Sequence, residues 1–256
     1  MKRFTILLKH EYEILFRPLR ITIAVMAALQ FIFFLLQLSD FGRSAPLSFL
    51  IDNSAIMWTF AIAYVSLLGS IVASFVMNYT PSKSIYALLT LPVKRTHVYW
   101  AKLGAALLAG FVLLATQMAL ALVFSLFTGR PDTFIDHSTG EIIPILYRSA
   151  DLYLSLLTSD FLRVLLPPDI TGAVLSALGY FGTIVITLFV AVQVAAGNRG
   201  EAIGVLVGWL TIVTGVAQRN LYWTGTTIIA LVGMVTICII IIKKGAKMFT
   251  TGRVGR

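Results

Sequence analysis

A chain of 256 residues that is 58% hydrophobic and 12% charged, with a mean hydropathy of +0.91, lies outside the range of soluble domains and reads as an integral membrane protein. Its apolar runs are continuous and do not alternate over roughly ten residues, which selects spanning helices over barrel strands. The net charge of +9 is a topology signal and an attraction to anionic inner-leaflet lipid, and it does not point to nucleic acid.

Residues 1–18 form an amphipathic helix, with Phe4, Leu7, Leu8, Ile14 and Leu15 on one face and Lys2, Lys9, Glu13 and Arg17 opposite. Pro18 is expected to break it before the first span. Glu11 points toward the apolar face, where a carboxylate is costly without a partner. Six apolar runs follow, at 21–38, 55–77, 103–127, 172–196, 202–217 and 226–242, and none contains Asp, Glu, Lys, Arg or His. The expected fold is therefore all-α, a single transmembrane domain of six spanning helices. The fifth and sixth runs are short, so their ends recruit neighbours such as Gln218 and Trp223 or the bilayer thins. The first run is read as a retained span, because it is long, follows a charged helix and lacks a small-residue cleavage site. Cys238, alone in the last run, reads as a small buried hydrophobe.

Between the second and third runs lies the segment 80–95. Thr80 suits a helix cap and Pro81 the first helical position, and Pro92 ends the helix near Thr90. Ile85, Leu88 and Leu89 share one face; Lys83, Ala87 and Thr90 lie opposite with Tyr86 beside them. One face packs on the spans, and the other meets either lipid headgroups or a soluble partner. The long connection 128–171 is interrupted by Arg148, Asp151, Asp160 and Arg163 and is not a seventh span. Within it Tyr153, Leu154, Leu157, Phe161 and Leu165 recur at helical spacing up to Pro167-Pro168. They predict an amphipathic helix at the outer interface or capping a translocation path, with Tyr153, Leu157 and Phe161 as an extracellular gate.

Six spans put both termini on one side. That side carries fifteen Lys and Arg, in 1–20, 78–102, Arg199 and the tail 243–256, against five on the other: Arg43, Arg130, Arg148, Arg163 and Arg219. The positive-inside rule places the termini in the cytoplasm.

Chemistry of its own is hard to find. His10, His97 and His137 fall in separate segments outside the apolar runs, so no metal site is expected. There is no phosphate loop, no nucleophile elbow and no pair of carboxylates within a span, so the chain is not expected to be catalytic. The polar groups inside the spans are Gln30, Gln37, Gln117, Thr187 and Gln193. They are interhelical hydrogen-bond partners or contacts along a largely apolar translocation path.

The run Leu88-Leu89-Thr90-Leu91-Pro92-Val93-Lys94-Arg95, followed by Ala101-Lys102, resembles the coupling-helix segment of ABC-2 type transporter permeases. The amino terminus, with Lys9-His10-Glu11 and Arg17-Pro18, resembles the elbow helix of the same family. Two departures stand out: Tyr79, Thr80 and Pro81 occupy places where many members carry acidic residues, and the large outer loop follows the third span. The resemblance implies a permease subunit of an ATP-driven exporter in the cytoplasmic membrane of a bacterium, paired with a second permease copy or a related one. A separate ATPase subunit would bind ATP and Mg and contact Ser82, Lys83, Tyr86, Ala87, Thr90 and Glu11. A basic group on that ATPase or on the coupling helix would partner Glu11, the alternative being a headgroup or water. The apolar path suits an amphipathic cargo, such as a peptide toxin or an antimicrobial compound. The alternative readings are a secondary transporter or channel, or a membrane sensor or assembly subunit that moves nothing.

Overall fold

The computed structural model describes residues 2–42, 45–79, 95–128, 131–135, 142–146, 148–218 and 224–250. In chain order these form α1 (Lys2–Phe41), α2 (Leu47–Asp52), α3 (Ile56–Tyr79), α4 (Arg95–Ser125), β1 (Pro131–Ile135), β2 (Ile142–Leu146), α5 (Arg148–Thr158), α6 (Asp160–Leu165), α7 (Ile170–Ala195), α8 (Arg199–Gln218) and α9 (Thr224–Thr250). Helices thus run through all six apolar runs. Among the described residues, four helices are long and apolar enough to cross a membrane: Phe4–Phe41, Ile56–Phe75, Thr96–Ser125 and Ile170–Ala195. Large apolar side chains such as Ile21 and Ile32 on α1, Ile62 and Val65 on α3, Phe111 on α4 and Ile170 on α7 stand exposed. Hydrocarbon accepts such a surface and water does not. The chain is a helical membrane protein.

Two expectations need correction. Pro18 lies inside α1, which runs unbroken from the amphipathic segment into the first span. Proline contributes no N–H, but Leu15 and Leu19 on either side of it are both buried, and that packing keeps the two segments in one helix. The outer helix is two helices, because Ser159 leaves the helical region (φ −70°, ψ 125°) and its Oγ caps α6 by accepting from the Leu162 N–H at 3.2 Å. In the connection ahead of them β1 and β2 pair antiparallel, with Phe134 opposite Ile143 and Ile135 opposite Ile142.

The described chain forms two compact units: Met1–Ile21, Tyr64–Val112 and Ala177–Arg256 in one, Thr22–Ala63 and Leu113–Ser176 in the other. In the first, α7 is the central element, with Ile184, Val185, Ile186, Leu188, Phe189, Ala191 and Val192 all buried. Tyr64 and Tyr180 stack at 4.6 Å; the Tyr64 hydroxyl donates to the Tyr180 carbonyl at 2.6 Å and the Tyr180 hydroxyl to the Gly110 carbonyl at 2.9 Å. Those bonds tie α3, α4 and α7 together. A Cβ at Gly110 would lie 2.3 Å from the Ile184 side chain, so only glycine admits this close crossing. Trp209 of α8 donates its indole N–H to Thr183 at 2.9 Å and lies over Gly182. α7 ends in a Schellman motif at Gly197 (φ 83°), with Asn198 N–H donating to the Gln193 carbonyl at 2.9 Å.

In the second unit, Phe34 of α1 and Phe124 of α4 stack at 4.4 Å, with Phe31 and Phe127 around them. The short helix α2 packs against α5 and α6. Ser48 N–H donates to Ser155 Oγ at 3.1 Å, and Asp52 Oδ1 accepts from Ser159 Oγ at 2.7 Å.

Candidate functional site

Leu7, Glu11, Leu15 and Leu19 recur every four residues on α1, and all four are buried, so a carboxylate sits within an apolar stripe. Its partner is Lys102. The Lys102 Nζ lies 2.6 Å from Glu11 Oε2, both side chains are at most 4% exposed, and the same ammonium sits 4.9 Å from the centre of the Phe75 ring. The stripe differs from the sequence expectation in that Ile14 faces outward, while Glu11 lies on the apolar side as expected. The carboxylate meets a basic group inside the chain, a lysine 91 residues away.

The first turns of α4 are packed from several sides. Phe4 of α1 meets the His97 ring edge-on at 6.1 Å between centroids, and Leu8 reaches Gly104, where a Cβ would lie 3.1 Å from its side chain. Gly245 of α9 lies under the buried Tyr99 ring, 2.7 Å from the hydroxyl if a Cβ were built there. A cavity of about 10 Å³ beside the ion pair is lined by Glu11, Leu15, Ser74, Phe75, Lys102 and Leu188, room for about one water. The pair is desolvated, and removal of either partner would strand a charge at a cost of about 3–5 kcal/mol.

The expected polar groups of the path divide between the two units. Gln30 and Gln117 are both buried, and Gln30 Nε2 donates to Gln117 Oε1 at 2.8 Å and to the Ile56 carbonyl at 3.3 Å. Gln37 Nε2 donates to the Asn53 carbonyl at 3.4 Å. The Oε1 atoms of Gln30 and Gln37 are buried and find no acceptor role among the described residues. Thr187 is buried in α7. Gln193, also buried, donates from Nε2 to Glu201 Oε2 at 3.1 Å and accepts from Asn198 Nδ2 at 3.2 Å. Glu201 in turn pairs with Lys244 of α9, which continues as a helix well past 242.

Of the three expected gate residues, Phe161 is buried against Phe60 at 5.7 Å between ring centres, Leu157 is half-buried and Tyr153 is exposed. A residue the sequence reading passed over organises this region. Asp52 Oδ1 accepts from Ser159 Oγ and, at 3.4 Å, from the Phe161 N–H, while Oδ2 accepts from the Asp160 N–H at 3.1 Å. The signal in the sequence was Ser159-Asp160, a capping residue followed by an acid in the first turn.

The coupling segment and its expected ATPase contacts Ser82, Lys83, Tyr86, Ala87 and Thr90 lie outside the described residues. Among the described residues no group of three or more His, Cys, Asp or Glu side chains converges as a metal site. A family model described as ABC-2 family transporter protein matches residues 15–194, well over half of the chain, from the buried stripe of α1 to the end of α7. No curated protein and no solved structure matches the chain.

Proposed function

Because the chain belongs to the ABC-2 transporter family, we propose that it is the permease subunit of an ATP-driven exporter in a bacterial cytoplasmic membrane. The family match carries this reading. In the proposed arrangement six spans cross the bilayer with both termini inside, and the segment 80–95 is the coupling helix. A separate ATPase subunit, holding ATP and Mg, contacts it through Ser82, Lys83, Tyr86, Ala87 and Thr90. A second permease copy or a related permease completes the path.

The placement of α4 supports the coupling role. This helix begins directly after the segment, and its first turns are packed by α1, α3 and α9, so a push on it reaches three neighbours. An ATPase moves such a membrane domain only if its nucleotide states make different contacts with two permease states. The cargo we propose is an amphipathic peptide or antimicrobial compound leaving the inner leaflet. Gln30, Gln37, Gln117 and Gln193 serve as ties in this state, and with the buried Thr187 would meet cargo only where the helices part. At the outer end, α5 and α6, held to α2 by Asp52, form the proposed gate.

The test is co-reconstitution of the purified chain and its ATPase in liposomes, with a fluorescently labelled cationic amphipathic peptide as probe. Movement of the probe that needs both the ATPase and ATP supports the proposal. Movement that persists without the ATPase would show a secondary transporter or a channel instead.

A further inference from the structure

The only ion pair among the described residues with both side chains buried joins two helices at the place where the proposed coupling segment delivers its motion. Resting on the permease reading above, we propose that Glu11 and Lys102 are positioning residues that lock the amphipathic start of α1 to the first turns of α4, so that the two move as one piece when the ATPase acts.

Stability alone does not account for the pair. A buried ion pair is typically no more stabilising than apolar side chains of similar volume, because desolvation offsets the attraction. What it supplies is resistance to separation. Apolar surfaces slide past one another with little change in contact energy, whereas sliding α1 along α4 would leave a carboxylate and an ammonium apart in a seam lined by Leu15, Phe75 and Leu188. Beside the pair, at the start of α1 and the first turns of α4, Phe4 on His97 and Leu8 on Gly104 add contacts without a charge or hydrogen bond between the side chains, and the Gln30–Gln117 hydrogen bond ties the same two helices farther along. At this end of the two helices the charged contact is the Glu11–Lys102 pair at 2.6 Å. Lys102 stands seven residues past Arg95, the first described residue after the coupling segment, and Glu11 lies in the segment that leads into the first span. Motion entering α4 is thereby passed to α1.

The test is hydrogen exchange on the permease–ATPase complex, without nucleotide and with ATP plus vanadate. Four forms are compared: the native chain, Lys102→Arg, Glu11→Met with Lys102→Met, and Glu11→Leu with Lys102→Leu. In the native chain and Lys102→Arg, nucleotide should change exchange both in peptides covering 80–106 and in peptides covering 4–19. In the Met pair the change over 80–106 should persist while that over 4–19 falls at least about fivefold, with the thermal midpoint unchanged. The Leu pair, which likewise strands no charge and cannot hydrogen-bond, should behave the same way and serves if the Met pair does not fold. Full transmission to 4–19 in either neutral pair overturns the lock and leaves the permease reading standing. A native chain with no nucleotide response over 80–106 overturns the permease reading, and the lock with it.

Discussion

Asp52→Ala removes the acceptor on which the start of α6 is built. Asp52 takes hydrogen bonds from the Ser159 hydroxyl at 2.7 Å and from the Asp160 and Phe161 N–H groups at 3.1 and 3.4 Å. Loss of a capping side chain costs about 0.5–2 kcal/mol, and a dry hydrogen bond to a charged group is worth about 1.5–3 kcal/mol. Asp52 is exposed and the Phe161 contact is long, so screening and geometry hold the total to about 1–2 kcal/mol. The loss is local, because the remaining partners of α6, such as Phe60 against Phe161, are untouched. A change of that size multiplies the locally open population by about 5–30. Hydrogen exchange of the purified protein reads that population directly. Peptides covering 153–166 should exchange about 5–30 times faster in Asp52→Ala, with peptides covering 96–110 unchanged. Asp52→Asn keeps an acceptor oxygen and should show a smaller increase. Native exchange over 153–166 in Asp52→Ala would refute the assignment of Asp52 as the anchor of the outer helices.

Three further outcomes are expected. Cysteines introduced at Ser44 and Ser138 should react with an impermeant thiol reagent added to intact cells while one at Ser84 should not; external labelling at Ser84 would overturn the proposed orientation. Gly245→Ala places a methyl group 2.7–2.9 Å from the Tyr99 hydroxyl and ring, which should cost about 1–3 kcal/mol and lower the thermal midpoint. Tyr99→Leu in the same chain should restore much of that loss, and an unchanged midpoint in the single variant would contradict the packing of α9 on α4. Gln30→Leu leaves Gln117 without its partner and should destabilise by about 0.6–2 kcal/mol, while Gln30→Leu with Gln117→Leu should recover most of it. A double variant that keeps its thermal midpoint but no longer moves the peptide probe would instead assign these glutamines to the path.

The apolar runs were legible in the sequence because a spanning helix is defined by its own composition, and α1, α3, α4 and α7 follow from Ile21, Ile62, Phe111 and Ile184 alike. The cost of Glu11 on an apolar face was legible too, but its partner was not: periodicity describes one helix at a time, and Lys102 reaches it only through tertiary packing. Pro18 misled because proline carries a local rule, and the buried neighbours Leu15 and Leu19 outweigh it. The break at Ser159 was hidden by apolar spacing that continues through it, from Leu157 to Phe161 and Leu165, although the cap itself was visible as Ser159-Asp160. The ribbon of β1 and β2 was missed for a related reason. Its β-favouring residues, Phe134 and Ile135 paired with Ile143 and Ile142, sit in short runs inside a segment read only for helical period. Asp52 carried no signal at all, since an acid six residues into a short helix is ordinary until α6 is brought to it.

If the segment 80–95 receives an ATPase, charge added there should break the contact. The chain is purified with its ATPase, as the native form and as Tyr86→Glu with Ala87→Glu, which adds charge away from the face that the sequence pattern gives to Ile85, Leu88 and Leu89. The native permease should co-elute with the ATPase and alter its rate of ATP hydrolysis. The double variant should insert into the membrane and keep the native thermal midpoint, yet lose co-elution or the effect on hydrolysis. Co-elution and hydrolysis at native levels in the double variant would contradict the account.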